Sequence, residues 1–161
     1  MDLTHIHLLL NHFPIAGTLI GGGVMLWGMA QNQKTTRSVA AAIIVAMTIM
    51  AVPVYLTGEP AEERLENIPG ISVTAMEGHE EAAELAIRVM AAAGIASLAA
   101  LLRQYRSSSS VHFGLATVLT LLAFAAMARV GYLGGQIRHT ELQQDRPVSQ
   151  QLSSSEGDVD D

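Results

Sequence analysis

Imidazole side chains are concentrated near the start of the chain. Three of its six histidines fall within the stretch HIHLLLNHFPIAG, residues 5–17, and two more, His79 and His139, lie beside later apolar segments. Imidazole binds zinc, copper and iron ions as well as haem iron. The chain contains no cysteine, which excludes disulfides, iron–sulfur clusters, thiolate zinc sites and covalently attached c-type haem. The residue types therefore indicate histidine ligation of a metal ion or of non-covalent haem.

Helical phase separates the first two candidate ligands. His7 and His12 are five residues apart, which places them about 140° apart around a helix at about 100° per residue. They cannot form the i,i+4 chelate in which two histidines of one helix bind a single ion. Each suits a different partner, so the four histidines could form one bis-histidine site with two supporting residues, or two sites with His79 and His139 as the opposite ligands.

Four apolar segments must position these side chains. Half of the 161 residues are hydrophobic, only 15% are charged, and the mean hydropathy is +0.33. The apolar segments cover residues 7–30, 38–57, 80–102 and 111–137. Each is about long enough to cross a hydrocarbon core of about 30 Å as a helix. The sequence predicts an all-α fold, a bundle of four transmembrane helices whose main partner is a lipid bilayer and not a nucleic acid.

The charged residues predict an orientation for this bundle. The connection between the first two segments carries Lys34 and Arg37, the connection between the last two carries Arg103 and Arg106, and neither contains an acid. All fifteen Asp and Glu residues lie toward the other side. By the positive-inside rule both basic loops are cytoplasmic and both chain termini lie outside. We expect a multi-pass protein of the bacterial inner membrane with its acidic face in the periplasm.

On this topology five of the six histidines, all except His112, gather at the periplasmic face. His79 shares its helix face with alanines rather than with the neighbouring glutamates, so it is expected to point toward other helices. His112 falls at the opposite membrane face, where we expect a simple interfacial residue. Glu59, at the outer end of the second span, is expected to lie at the level of these histidines. The candidate metal ligands are His7, His12, His79, His139 and Glu59.

Two arginines lie within the predicted spans. Arg88 is nine residues beyond His79 and Arg129 is ten residues before His139, which predicts a similar depth for both. Ionisable side chains at such depth usually face the bundle interior or water. Arg88 can instead pair with Glu84 four residues earlier. Arg129 has no acid at that spacing, and a carboxylate-bearing cofactor such as haem, or an anionic or quinone ligand, would give it a partner.

Small residues and one proline also bear on the site. Gly17 and Gly21 form a GxxxG pair in the first span, and Gly131 and Gly135 form another in the fourth. Such pairs indicate tight helix packing or, alternatively, room for a flat cofactor. Pro14 favours a bend that can re-aim the histidines before it.

The chain is predicted to have one folded domain and a tail. Residues 1–139 form the membrane domain, and neither a linker nor an internal repeat is evident in the sequence. Residues 140–161 are polar, rich in Ser and Gln and acidic at the end. This composition predicts a disordered tail, since it offers too little apolar surface to bury.

Several motifs resemble those of a known family. HLLLNHFPIAG, the LTG that ends the second span, and GYLGGQIRH in the fourth are similar to motifs of the DUF2231 family of small four-span membrane proteins. The resemblance covers most of residues 7–139 and carries over to His7, His12, His79 and His139, whereas His5 has no counterpart. It implies a redox role with b-type haem, because some relatives are fused to Rieske or c-type cytochrome domains.

Three functions are compatible with these features. The first is a membrane electron-transfer protein that holds b-type haem between histidines, with Arg88, Arg129, Gly131 and Gly135 beside it and a redox protein or quinone as partner. The second is a non-haem zinc, copper or iron site, or a metalloenzyme, built from three histidines and a carboxylate such as Glu59 or Glu80. The third is an accessory subunit of a respiratory complex. No constellation of catalytic residues is evident, and the sequence leaves open whether the protein is an enzyme.

Overall fold

The structure, a computed structural model, describes residues 3–58, 60, 73–104 and 110–138. Throughout these residues the regular secondary structure is helical. The helices are α1 (Leu3–Leu10), α2 (His12–Ala30), α3 (Lys34–Leu56), α4 (Val73–Arg103) and α5 (Val111–Arg138). Four stretches are long and apolar enough to cross a membrane, as the hydropathy pattern predicts: His7–Ala30, Lys34–Leu56, Thr74–Arg103 and Val111–Ile137. The fold is therefore that of a multi-pass helical bundle.

The first predicted span is divided into two helices. Asn11 separates α1 from α2, although its backbone N–H still donates to the carbonyl of His7 at 2.9 Å. Pro14 lies in the first turn of α2, where a missing N–H breaks no helical hydrogen bond. Its ring would clash with the carbonyl of Leu10 in a continuous straight helix. The proline thus accounts for the break, which makes α1 a separate short element that carries His7.

Helices α2 to α5 form an antiparallel bundle. Each packs against its neighbour in the sequence, and α2 also packs against α5, so the order around the bundle is α2, α3, α4, α5. Helices α3 and α5 also touch across the diagonal. Gly17 and Gly21 of α2 face the side chains of Met47 and Ile44 on α3. The first GxxxG pair is therefore a close helix contact, which is one of the two alternatives that the sequence allows.

Helices α4 and α5 are longer than the hydrocarbon core requires. They contain 31 and 28 residues, or about 46 and 42 Å at about 1.5 Å per residue, against a core of about 30 Å. The predicted third span, residues 80–102, lies inside α4, which begins at Val73. Likewise α3 begins at Lys34, before the predicted boundary at residue 38. Polar and charged residues extend these helices past the apolar segments because hydropathy marks the lipid-facing length and not the helix ends.

The bundle has two chemically different ends. The histidine end contains His7, His12 and His79 with the last turns of α3 and α5. The basic end contains Lys34, Arg37, Arg103 and His112. The first residues of α1 and the last of α5 both lie at the histidine end, as an even number of spans requires. Glu59, His139 and the tail at 140–161 lie outside the described residues.

Candidate functional site

His7 is docked onto the end of α3. Its Nδ1 lies 3.0 Å from the carbonyl oxygen of Val54 and 3.3 Å from the hydroxyl of Thr57. The Val54 carbonyl is among the last four of α3, which lack a partner within the helix. Thr57 donates its own hydroxyl to the carbonyls of Pro53 and Val54 at 2.8 and 3.0 Å. The imidazole therefore ties α1 to the end of α3 and is itself held in one orientation.

His79 is docked onto α5 in the same way. Its Nδ1 lies 3.1 Å from the carbonyl oxygen of Val130, and the side chain is half-buried. The ring lies against Gly134, where an added Cβ would be 3.1 Å from Cε1 of the imidazole. A side chain at position i+4 of a helix leans toward the turn that contains the carbonyl of residue i. A glycine at 134 therefore leaves the Val130 carbonyl open to the imidazole.

The surroundings of His7 repeat this arrangement. Gly58 follows Val54 by four residues, and a Cβ at Gly58 would be 3.5 Å from Cε1 of His7. The contact is looser than at Gly134 but involves the same atoms of the ring. Each imidazole thus lies across a Val-x-x-x-Gly segment, with its Nδ1 on the valine carbonyl and its ring on the glycine.

The hydrogen bonds fix the tautomer of both rings. A carbonyl oxygen can only accept, so Nδ1 of His7 and of His79 must carry the proton. An Nδ1–H donated to a backbone carbonyl is the usual way in which proteins orient an imidazole that binds a metal through Nε2. The histidine end therefore presents two oriented imidazoles, His7 on α1 and His79 on α4.

His12 does not belong to this pair. It is exposed, and its Nδ1 lies 3.0 Å from the carbonyl of Leu8 in the preceding turn. His7 is half-buried on the other side of the helix break. The two side chains therefore face apart, as their five-residue spacing predicts. Among the described residues, the other predicted ligand at this end is His79.

The two arginines lie on the outside of the bundle and at different depths. Arg88 is 68% exposed and pairs with Glu84, the alternative that its spacing offers. Arg129 is exposed as well. Because His79 contacts Val130, Arg129 is at the level of His79, while Arg88 is nine residues further along α4, or about 14 Å deeper. The prediction of similar depth is therefore wrong, since it measured both positions from histidines assumed to be level.

The second glycine pair has two different environments. A Cβ at Gly131 would lie 3.2 Å from Cδ1 of Ile15 on α2, whereas a Cβ at Gly135 would meet no atom within 4 Å. Since α2 and α5 are antiparallel, Gly135 lies at about the level of Asn11. The buried Oδ1 of Asn11 has no hydrogen-bond partner among the described residues. Gly131 is thus a helix contact, and Gly135 has no neighbour among the described residues at the level of the histidines.

The carbonyl acceptors and two glycines of this site escape sequence reasoning. The Val54 and Val130 carbonyls leave no trace in residue type. Gly58 and Gly134 fall within the motifs LTG and GYLGG, and their signal is a Val-x-x-x-Gly spacing that occurs before both. The spacing has meaning only once a histidine is known to lie on it, so it could not have been singled out beforehand.

The described residues contain no group of three His, Asp or Glu side chains that could hold a metal ion. Two of the predicted ligands, Glu59 and His139, fall outside this part of the chain. Within it, the metal-binding groups that come together are the two imidazoles of His7 and His79. Two nitrogens alone do not complete the three or four protein ligands that zinc, copper or non-haem iron ordinarily requires.

A buried arginine packs between the helices at the basic end. Arg37 is 4% exposed, donates to Oδ1 of Asn32 at 3.2 Å, and lies 5.6 Å from the centre of the Phe113 ring. The sequence placed this residue in a loop, but α3 begins before it. Arg103 donates to Nε2 of His112 at 2.9 Å, which gives that imidazole a partner at the bundle end. Arg37 thus connects α3 to α5, and Arg103 connects α4 to α5, at this end of the bundle.

The chain matches no model of a protein family, no curated protein and no solved structure. The geometry of the histidine end is therefore the basis for assigning a function.

Proposed function

We propose that this protein is a membrane-embedded electron-transfer protein that binds b-type haem between His7 and His79. One observation carries the proposal: both imidazoles donate Nδ1–H to backbone carbonyls of other helices, which fixes the orientation of both rings. Pairs of histidines held in this manner are typical axial ligands of low-spin haem in helical bundles.

The number of protein ligands favours haem over a bare ion. A porphyrin already supplies four nitrogens to its iron, so two imidazoles complete the coordination. A zinc, copper or non-haem iron ion needs at least one further protein ligand, which the described residues do not supply beside His7 and His79. Glu59 or His139 would have to provide it.

Residues around the pair fit the remaining needs of haem. The propionates of the cofactor require cations or water, and Arg129 lies at the level of His79 on the outer surface of α5. Open space beside Gly135 and the unpartnered amide oxygen of Asn11 lie at the same level. Haem would supply one-electron chemistry at its iron, and His7 and His79, oriented by their carbonyl acceptors, would hold it.

The charge pattern extends the proposal to location and partners. With the basic end in the cytoplasm, the haem lies near the periplasmic surface of the bacterial inner membrane. An electron partner would then approach the histidine end, either as a periplasmic or membrane redox protein or as a quinone from the bilayer.

An absorption spectrum tests the assignment. Protein purified in detergent is expected to show a Soret band that shifts on dithionite reduction, with the sharp visible bands of a bis-imidazole b-type haem. His7→Ala and His79→Ala should each abolish the six-coordinate spectrum, while the matched controls His12→Ala and His112→Ala should keep it. A colourless protein that contains stoichiometric zinc, copper or iron would refute haem and favour an ion site completed by Glu59 or His139.

A further inference from the structure

The two halves of the bundle bury residues at corresponding positions. Each of the six buried residues of α2 is matched by a buried residue of α4 that lies 72 positions later in the chain. The residues of α2 are Pro14, Thr18, Gly21, Gly22, Met25 and Gly28, and those of α4 are Ala86, Met90, Ala93, Gly94, Ser97 and Ala100. The types differ at most pairs, so the match lies in the packing and not in the sequence.

Helices α3 and α5 show the same correspondence with a second offset. All five buried residues of α3 have a buried counterpart 76 positions later. They are Arg37, Ala40, Ala41, Ile44 and Ala51, matched by Phe113, Ala116, Thr117, Thr120 and Met127. The offset grows by four because three residues connect α2 to α3 and seven connect α4 to α5. One helical hairpin is thus repeated, with a longer turn in the second copy.

The helix contacts obey the symmetry that such a repeat requires. If α2 corresponds to α4 and α3 to α5, the contact between α3 and α4 must recur between α5 and α2, and both contacts exist. The remaining contact, between α3 and α5, joins a helix to its own counterpart. This is the pattern of two units related by a two-fold axis that runs along the bundle.

Equivalent residues that approach each other mark the position of this axis. Arg37 and Phe113 correspond, and the guanidinium of the first lies over the ring of the second at the basic end. His7 and His79 also correspond, because they are 72 positions apart, and both lie at the other end. The acceptors of both rings correspond as well, since Val130 and Gly134 each lie 76 positions after Val54 and Gly58.

We propose that the bundle is an internal duplication of one helical hairpin, and that His7 and His79 are its symmetry-equivalent pair, which binds a single ligand on the pseudo-two-fold axis. The axis predicts one ligand for each chain rather than two separate sites around His7 and His12. An iron porphyrin suits such a position because its two axial sites lie on opposite, symmetry-related faces. The identity of the ligand as haem rests on the proposed function, whereas the duplication and the pairing do not.

Ligand titration tests the single site. Haem added to the apoprotein in detergent should saturate at one equivalent with a six-coordinate spectrum. His7→Ala and His79→Ala should convert it to the same five-coordinate spectrum, because each removes one of two equivalent ligands. Saturation at two equivalents, or a six-coordinate spectrum that persists in either variant, would overturn the proposal.

A protein that binds no haem would refute the proposed function and leave the pairing to a second probe. Cu²⁺ should then bind at one equivalent per chain with imidazole nitrogen couplings in its electron paramagnetic resonance spectrum. Both single variants should weaken this binding to a similar extent. Copper binding that depends on only one of the two histidines would overturn the pairing.

Distances between spin labels test the duplication without any ligand. The chain lacks cysteine, so a double variant contains only the two cysteines that are introduced at exposed positions. Leu26 corresponds to Leu98, and Val39 to Leu115, and all four are exposed. The labelled double variants L26C/L115C and V39C/L98C should therefore give superimposable distance distributions. Distributions whose maxima differ by more than their widths would refute the two-fold arrangement, even if haem binds as proposed.

Discussion

At each end of the bundle a basic side chain contacts the terminus of a helix, but the two side chains differ in type. At the histidine end, His7 donates to the carbonyl of Val54 at the C-terminus of α3. At the basic end, Arg37 lies beside the C-terminus of α2, where it donates to Asn32, a residue with a left-handed φ of 51°. A cation is favoured there by the helix dipole. Each end therefore ties a helix terminus to its neighbour through a nitrogen donor.

The difference between the ends lies in what each base keeps available. Guanidinium has no acceptor atom and stays charged, so Arg37 can only donate, and the ring of Phe113 covers it. Imidazole donates through Nδ1 and still presents a lone pair on Nε2. One end of the axis is thus filled by a side-chain contact, whereas the other carries two oriented imidazoles. Under the proposed function, the basic end contributes stability and the histidine end binds the ligand.

Loss of an imidazole should have the largest effect on binding. His79→Ala is expected to weaken haem binding by more than about 100-fold, beyond the effect of losing a residue that only supports a ligand. Its free energy of unfolding should fall by only about 1 kcal/mol, the net value of one hydrogen bond. Haem titration and SDS-induced unfolding of the apoprotein measure the two quantities. A variant that unfolds readily but binds haem normally would reverse the contrast.

Loss of the buried arginine should affect stability most. Arg37→Ala removes a charged hydrogen bond, a cation–π contact and buried volume, so we expect a loss of about 3 kcal/mol in the free energy of unfolding. The folded fraction should keep the wild-type haem spectrum. Arg103→Ala, an exposed neighbour at the same end, serves as the control with a loss below about 1 kcal/mol. An altered spectrum in folded Arg37→Ala would contradict the separation of roles.

The glycine beneath His79 should act on binding through that ring. Gly134→Ala places a Cβ 3.1 Å from the imidazole, so we expect haem affinity to fall about 10-fold, in the range for residues that orient a ligand. Gly135→Ala, the adjacent control, meets no atom within 4 Å. The reduction potential and spectrum of the bound haem distinguish ring displacement from general destabilisation. Equal effects of both substitutions would refute a positioning role for Gly134.

A smaller effect is expected beside His7. Gly58→Ala introduces a Cβ at 3.5 Å from its imidazole, an ordinary contact distance, so haem affinity should change by less than about twofold. If the two docking segments are functionally equivalent, enlarging the side chain in Gly58→Val should reproduce the loss seen in Gly134→Ala. Haem titration of both variants makes this comparison, and an unchanged affinity in Gly58→Val would argue against equivalence.

The exposed ion pair should have the least effect of all. Arg88 and Glu84 are 68% and 52% exposed, and i,i+4 pairs of this kind contribute about 0.3–0.5 kcal/mol in water. Arg88→Gln should leave the haem spectrum unchanged. A shifted reduction potential in this variant would show that Arg88 reaches the cofactor, as the sequence alone allowed.

The amino-acid sequence determined the four membrane-spanning helices. Apolar length identified the four spans because crossing hydrocarbon demands it, and helical phase already separated His7 from His12. The break at Asn11 followed from Pro14, whose ring acts locally. The resemblance to the DUF2231 family stays a prediction, because no family model matches the chain. The periplasmic orientation and the haem also stay predictions, since they depend on partners and surroundings beyond the folded chain.

Only the tertiary structure decided which histidines belong together. The acceptors of His7 and His79 are main-chain carbonyls, which exist at every residue and so leave no mark on the sequence. The register between α4 and α5 set the depth of Arg129, and the close packing of α3 against its neighbours buried Arg37. The duplication is equally hidden, because a membrane bundle requires small or apolar residues at its contacts but seldom a particular one. Corresponding positions of the two hairpins are buried alike, although their residue types mostly differ.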